Sequence, residues 1–444
     1  MNLVAFSIRT KGAHNFARRL WTVFARFGFS ERPNRRALLA LLQALQPYQT
    51  GPTLFIPAVV LNRHPKLISE IAQNGAEIGI HGHVHNDYRT LNSEQQFTQT
   101  QKAIEIFTKT KIDYAGFRNP YLGWTEDSLE VFRKLGFGYE SNEAVLHDVV
   151  NLDEFSPLLQ SGFAKSLALF QAIPRTTYTL RPHFEGTLLR IPTSIPDDEM
   201  LFDRLRITDP LEVGRIWSSV MEHVYKREGI YTLNLHPERG ILCKPALERL
   251  LQTASSQTLP VWITRLHEVA NWWNERRKFR LHLTTLEPGR WHVKADCTPR
   301  ATILGQHIEV EEQPLSPWSN QTKKIEAQDF VIRATSCPVL ALSPRTPVEV
   351  EDFLYEQGYP VVSGVEENSQ TTYASYLDLP EGLGKSREEQ ISLRSELVQK
   401  IEALNTPLLR FGHWPSGRHA ALAISGDIDS VTIQDFFLRI IEVH

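Results

Sequence analysis

Within seven consecutive residues, His81-Gly82-His83-Val84-His85-Asn86-Asp87, the sequence sets three imidazoles and a carboxylate. On a helical turn, the four-residue separation of His81 and His85 puts both rings on one face, within reach of a single ion. If the preceding segment continues as a strand, His81, His83 and His85 share a face at spacing two. Either arrangement offers neutral nitrogen ligands to a divalent metal, and Asp87 lies close enough to orient one ring from behind. A histidine-rich surface loop would use the same residues. The cluster, however, follows directly on the apolar run 76–80, which reads as a buried strand.

Such residues need a frame that brings distant segments together. From the start to about residue 278, short apolar runs alternate with helix-like segments. Strands are expected at 3–8, 53–58, 76–80, 114–117, 138–140, 188–192, 231–235 and 261–264. Helices are expected over 35–45, 65–73 (Pro65 suiting the first turn and Gly75 the end) and 128–135. This alternation predicts an α/β fold with a parallel sheet, and about eight strands suit a closed barrel. In a barrel, residues at the C-terminal strand ends converge on one mouth, and several polar candidates sit at such ends. After about residue 280 the texture becomes β-rich, with strands near 291–295, 301–310 and 329–334. A charged helix then begins near Ser386, and a final strand, turn and helix occupy 420–443. The expected division is a barrel over 1–280, a small antiparallel β-rich domain over 281–380, and a helix followed by strand-turn-helix over 381–444.

Bulk properties narrow the function classes. The 444 residues are 41% hydrophobic and 22% charged, which suits folded domains with a sizeable core. A net charge of −3 offers no global attraction to nucleic acid or anionic membranes. The N-terminus shows no secretory signal pattern, and no run approaches the ~18 apolar residues of a membrane helix. A cytoplasmic protein without a membrane span is therefore expected. Cys243, Cys297 and Cys337 are widely spaced and odd in number, which argues against a disulfide framework or a structural zinc knot.

Three motifs carry a resemblance to a known family. Gly75-Ala76-Glu77-Ile78-Gly79-Ile80-His81, followed by His85, resembles the second motif of the polysaccharide deacetylases of the NodB-homology type, in which two histidines four apart bind the metal. Gly116-Phe117-Arg118-Asn119-Pro120-Tyr121 resembles the third motif, which lines the active-site groove; the resemblance implies substrate contacts from Arg118, Asn119 and Tyr121. Leu233-Asn234-Leu235-His236-Pro237 resembles the late Leu-x-His motif and implies a general acid in His236. Shorter echoes are Leu135-Gly136-Phe137, Ile191-Pro192, and Val261-Trp262-Ile263-Thr264 with Trp272 and Trp273 beyond it. The resemblance covers about residues 1–278 and implies a deacetylase-type (β/α) barrel.

The first motif breaks the pattern. That family places two aspartates at the end of the first strand, whereas this sequence has Ser7-Ile8-Arg9-Thr10-Lys11-Gly12 there, and its two cations would repel a metal. Far away, Trp414-Pro415-Ser416-Gly417-Arg418, the strand and Gly426-Asp427-Ile428-Asp429 resemble the missing motif. Asp427 is then implied as the base and Asp429 as the third metal ligand. Two carboxylates at spacing two share one face of an extended segment and can aim at one ion. The competing reading makes Asp429 or Ser430 the N-cap of the terminal helix. Eight N-terminal strands already complete a barrel, so the C-terminal strand must wedge beside the first, displace it, or reach the mouth of a second subunit in a homo-oligomer.

The chemistry implied is amide hydrolysis. A divalent metal, zinc on ligand type, brings the pKa of a water toward ~7. A carboxylate takes its proton, a histidine protonates the leaving amine, and the planar fork of Arg118 holds the base carboxylate or the sugar. The expected substrate is a glycan or amino sugar bearing an N-acetyl group. The alternatives are a hydrolase of cyclic amides or ureides on the same barrel, whose pocket the segment 151–183 would help shape, and a degenerate barrel that binds carbohydrate without turnover.

Overall fold

The computed structural model describes residues 26–443 except Pro314, Asn320 and 369–372. The expected first strand at 3–8, with Arg9 and Lys11, lies outside the described residues. Along the central run of a twelve-stranded sheet, Thr193–Ile195, Ile230–Leu235, Ala420–Asp427, Thr53–Ile56, Glu77–Ile80, Gly116–Phe117, Tyr139–Glu140 and Leu188–Arg190 are successive neighbours, all parallel. Residues 188–195 lie at both ends of that run, and Ala144–Leu146 also pairs with Thr193–Ile195. The sheet therefore curls back on itself in the manner of an α/β barrel.

Helices cover the outside for the reason the sequence suggests. Arg32–Leu45 begins with Pro at its first turn and buries Leu38, Leu41, Leu42 and Leu45, an i, i+3, i+4, i+7 stripe. Pro65–Gln73 does the same with Leu67, Ile68 and Ile71. Both join the core that contains Leu54, Ile56, Ile78 and Ile80.

The C-terminal strand is the element the topology turns on. All eight residues of Ala420–Asp427 are buried. One side pairs with Ile230–Leu235; the other pairs first with Val261–Thr264 and then with Thr53–Ile56. It thus fills its slot within its own chain. Three alanines, a serine and a glycine keep the strand narrow enough for neighbours on both edges. The chain is delivered to it by Trp414, fully buried, whose indole N–H donates to the carbonyl of Glu228 at 2.9 Å and whose ring lies 5.0 Å from that of Trp273.

Beyond residue 280 two four-stranded antiparallel sheets form, one from Arg280–Glu287, Arg290–Asp296, Asp329–Arg333 and Glu309–Val310, the other including Ile303–Gln306 and Leu408–Phe411. The antiparallel expectation does not hold for Cys337–Leu342, Val361–Val362 and Tyr373–Leu377. They make a parallel three-stranded sheet, and the helix Val348–Glu356 connects the first two. Pro338-Val339-Leu340-Ala341-Leu342 is a continuous apolar run, as a strand covered on both faces requires. No described helix is long and apolar enough to cross a membrane. The three cysteines are free.

A Cβ at Gly426 would meet the backbone oxygen of Leu235 at 2.7 Å and Cγ of Pro237 at 3.0 Å. Neither atom is the end of a flexible side chain, so Gly426→Ala must push two paired strands apart. The expected cost is about 1–3 kcal/mol in urea unfolding; an unchanged midpoint would show that the strand does not pack so closely.

Candidate metal centre

Strand register sets the level at which each candidate leaves the sheet. Ile80 pairs with Ile56 and with Phe117, and Phe55 pairs with Asp427. His81, Arg118 and Asp429 therefore emerge at nearly the same height on the mouth side. Leu235 pairs with Gly426, which brings His236 beside Asp427 on adjacent strands.

The histidine cluster is neither helix nor continued strand. The strand ends at Ile80, and Gly82, at φ +85°, turns the chain through a bend. The bend brings the rings of His81 and His85 to 5.2 Å, while His83 turns toward Gln99 and Lys102 of the helix Ser93–Thr110 and joins no ligand set. Asp87 does not orient a histidine. Its carboxylate is taken by its own neighbour, accepting from Arg89 Nε at 2.8 Å and Nη2 at 2.7 Å. The orienting acceptor is a backbone carbonyl instead: Nδ1 of His81 donates to the oxygen of Arg118 at 2.7 Å, leaving a lone pair on Nε2.

Asp429 meets these rings. Its Oδ1 lies 3.2 Å from Nε2 of His85 and 3.6 Å from Nε2 of His81. Ligand atoms from the three residues all lie within 4.8 Å of one another, and the group could hold a metal ion. Oδ1 is buried and no hydrogen bond satisfies it, whereas Oδ2 accepts from Arg439 Nη1 at 2.6 Å. Convergent lone pairs without an aligned proton between them fit a shared cation. Burial pushes the His85 imidazole below its usual range, toward the neutral form a ligand needs. Burial alone would raise Asp429, but His85 and the Arg439 guanidinium outweigh it and hold the carboxyl well below its usual range. The capping reading of Asp429 and Ser430 does not hold. Thr432 caps the helix Ile433–Glu442 in a reciprocal pair with Asp435.

Asp427 is held by groups deeper in the barrel. Arg118 Nη1 donates to its Oδ1 at 3.2 Å and Asn234 Nδ2 to its Oδ2 at 3.0 Å. Arg118, fully buried, also donates to Asn234 Oδ1, Ser425 Oγ and the Ser141 carbonyl. Its fork is spent on protein groups, which corrects the expectation of a substrate contact and leaves the other one stated, a hold on the Asp427 carboxylate. Asn119 is corrected too: it has no exposed surface, and its amide closes a turn by donating to the carbonyl of Gly123 at 2.8 Å. Tyr121 is 40% exposed at a left-handed φ of +59°, with its ring edge-on to His85 at 4.7 Å, and it faces the mouth.

On the opposite side, His236 Nδ1 bonds Asp198 Oδ1 at 2.8 Å, and Asp198 Oδ2 accepts the backbone N–H of His236 at 3.2 Å. Burial would lower this imidazole, but the Asp198 carboxylate outweighs it and holds it up at about 10. Asp198 is pulled down to about 2 despite its own burial, by His236 and Arg239. Asp198, Asn234, Ser425 and Arg439 were not among the sequence candidates. For Asn234 and Ser425 a signal existed, a polar residue inside an otherwise apolar strand, and the two are register partners. Asp198 had a weaker one, the pair Asp197-Asp198 soon after an apolar run.

Residues 29–139 match the family model described as polysaccharide deacetylase. That stretch is what the chain shares with the family, and it spans a quarter of the 444 residues. A peptidoglycan deacetylase-like protein of Gibberella zeae is 31% identical over 117 residues, 26% of this chain and 34% of that protein. This chain thus spans about a third of the fungal relative. The peptidoglycan deacetylase of Helicobacter pylori is 20% identical over 250 residues, 52% of this chain and 81% of that one. A putative polysaccharide deacetylase from Mycobacterium smegmatis is a further structural match, at TM-score 0.42 and 19% identity over 61% of this chain and 86% of that one. The matched span of the deacetylase model includes His81, His85 and Arg118 and stops nearly 290 residues short of Asp427 and Asp429.

The paired His236 and Asp198 generate a measurable titration. A raised histidine stabilises the fold fully below its unfolded value of about 6.5, and that stabilisation is lost as pH rises through about 10. In Asp198→Asn, histidine NMR resonances should place His236 well below 10. The stability difference from the parent should be larger near pH 6 than near pH 10. A His236 titration unmoved by the substitution would refute this coupling.

Proposed function

We propose that this chain is a metal-dependent hydrolase that removes N-acetyl groups from an amino-sugar glycan. The supporting observation is the convergence of His81, His85 and Asp429, with Asp427 two residues from the third ligand and His236 on the neighbouring strand. In this reading His81, His85 and Asp429 hold the ion. Once bound there, a divalent ion, zinc on ligand type, polarises the amide carbonyl and makes a water more acidic.

The remaining work belongs to the chain's own groups. Asp427 accepts the proton of the attacking water, and Arg118 with Asn234 fixes which way its carboxylate points. His236, kept protonated by Asp198, donates through Nε2 to the departing amine. Tyr121 offers an aromatic edge to the substrate at the mouth. The proposal takes residues 1–280 as the barrel, with 381–444 supplying its last strand, and 281–380 as an accessory region.

The purified protein should carry one divalent ion per chain and release acetate from chitooligosaccharides. His81→Ala should lose both ion and activity. Asp427→Asn should keep the ion and lose about 10²–10⁴-fold in kcat, the usual range for a general base. Hydrolysis of a cyclic ureide in preference to the oligosaccharide would transfer the reading to that amide class. A stoichiometric absence of metal would leave a carbohydrate-binding barrel instead.

A further inference from the structure

A cleft of about 650 Å³, lined by none of His81, His85, Asp427 and Asp429, opens between the 183–190 hairpin and two helices, Val348–Glu356 and Arg387–Glu402. That volume falls among small-molecule sites. The first helix lines it with Glu349, Asp352 and Glu356, an i, i+3, i+7 stripe; the second lines it with Arg387, Gln390 and Arg394 at the same spacing. The walls are therefore of opposite charge.

Among the described residues, no ion pair joins them. Arg387 pairs instead with Glu143 of the barrel at 3.4 Å. Nε of Arg394 is buried without a hydrogen-bond partner. Glu356 is only 3% exposed; its Oε2 accepts the backbone N–H of Phe184 at 2.9 Å, and its Oε1 is buried and unpartnered. Burial pushes this carboxyl up to about 8. Carboxyl groups from one helix and guanidiniums from the other thus face a single cleft, with no ion pair between the two helices to neutralise them.

We propose that this cleft binds a small zwitterion, its ammonium on the Glu349–Asp352–Glu356 wall and its carboxylate on the Arg387–Gln390–Arg394 wall. Glu126 and Glu185, and Arg277 and Lys385, also line the cleft, so a purely anionic ligand would face five carboxyl side chains and a purely cationic one four cationic side chains; each satisfies one set of charges at the expense of the other. Guanidiniums suit the planar carboxylate, and Arg394 lies 5.9 Å from the ring of Phe353, which limits its freedom. The inference does not depend on hydrolysis in the barrel.

Calorimetry on the full chain with three related probes tests it: muramic acid carries both charges, glucosamine only the ammonium, and N-acetylmuramic acid only the carboxylate. Muramic acid should bind at least about tenfold more tightly than either. It should bind His81→Ala equally well, which separates this cleft from the barrel site. Arg394→Gln and the double change Glu349→Gln with Asp352→Asn should each weaken binding about tenfold. Glu349 and Asp352 are exposed, so the double variant stays folded and decides the matter even if Arg394→Gln does not fold. Equal affinity for the three probes, no binding of muramic acid at about 10 mM, or binding that survives the double variant would overturn the proposal.

Discussion

Parallel pairing of Ala420–Asp427 between Ile230–Leu235 and Thr53–Ile56 is the constraint on which the rest depends. Without that strand the barrel would carry two facing edges, each with unpaired backbone groups in an apolar interior. With it, the run is continuous from Thr193–Ile195 to Leu188–Arg190, and two carboxylates arrive at the mouth from a segment about 340 residues after the histidines. Register does the positioning. Because side chains alternate along an extended chain, a slip of one residue would turn Asp427 away from Arg118. The Trp414 anchor and the tight contact at Gly426 both oppose such a slip.

A second constraint follows from burying a full positive charge. Arg118 has no exposed surface, and an unpaired guanidinium there would be prohibitively costly. The structure surrounds it with Asp427, Asn234, Ser425, Ser141 and Thr193, drawn from three strands and the turn after a fourth. The same network that neutralises the arginine fixes Asp427. Asp429 is treated differently: one oxygen is tied to Arg439 and the other is left without a proton partner beside two imidazoles. That division matches the roles proposed, a held carboxylate for proton transfer and a free oxygen for a cation.

Much of this was legible in the sequence where the signal is local. The helix Pro65–Gln73 was expected at its observed bounds, because Pro at the start and a clean apolar stripe leave little choice. The buried strands of the barrel were visible as apolar runs, and Asp427-Ile428-Asp429 could be singled out as a displaced motif. What depended on tertiary contact was not legible. Asp87 lies two residues from His85 yet bonds Arg89, and Asn119 sits within a recognisable motif yet only closes a turn. Asp198 became visible only when the neighbouring strand brought His236 to it. The parallel sheet at 337–377 was missed because short apolar runs do not reveal the direction of their partners.

The central claim is that two histidines and one aspartate of a single chain form one cation site. Anomalous diffraction from crystals grown with zinc tests it most directly. The account predicts one strong peak at the barrel mouth, at about 2.0–2.2 Å from Nε2 of His81, Nε2 of His85 and a carboxylate oxygen of Asp429 of the same chain. A peak whose carboxylate comes from another molecule, or zinc bound without Asp429, would contradict it.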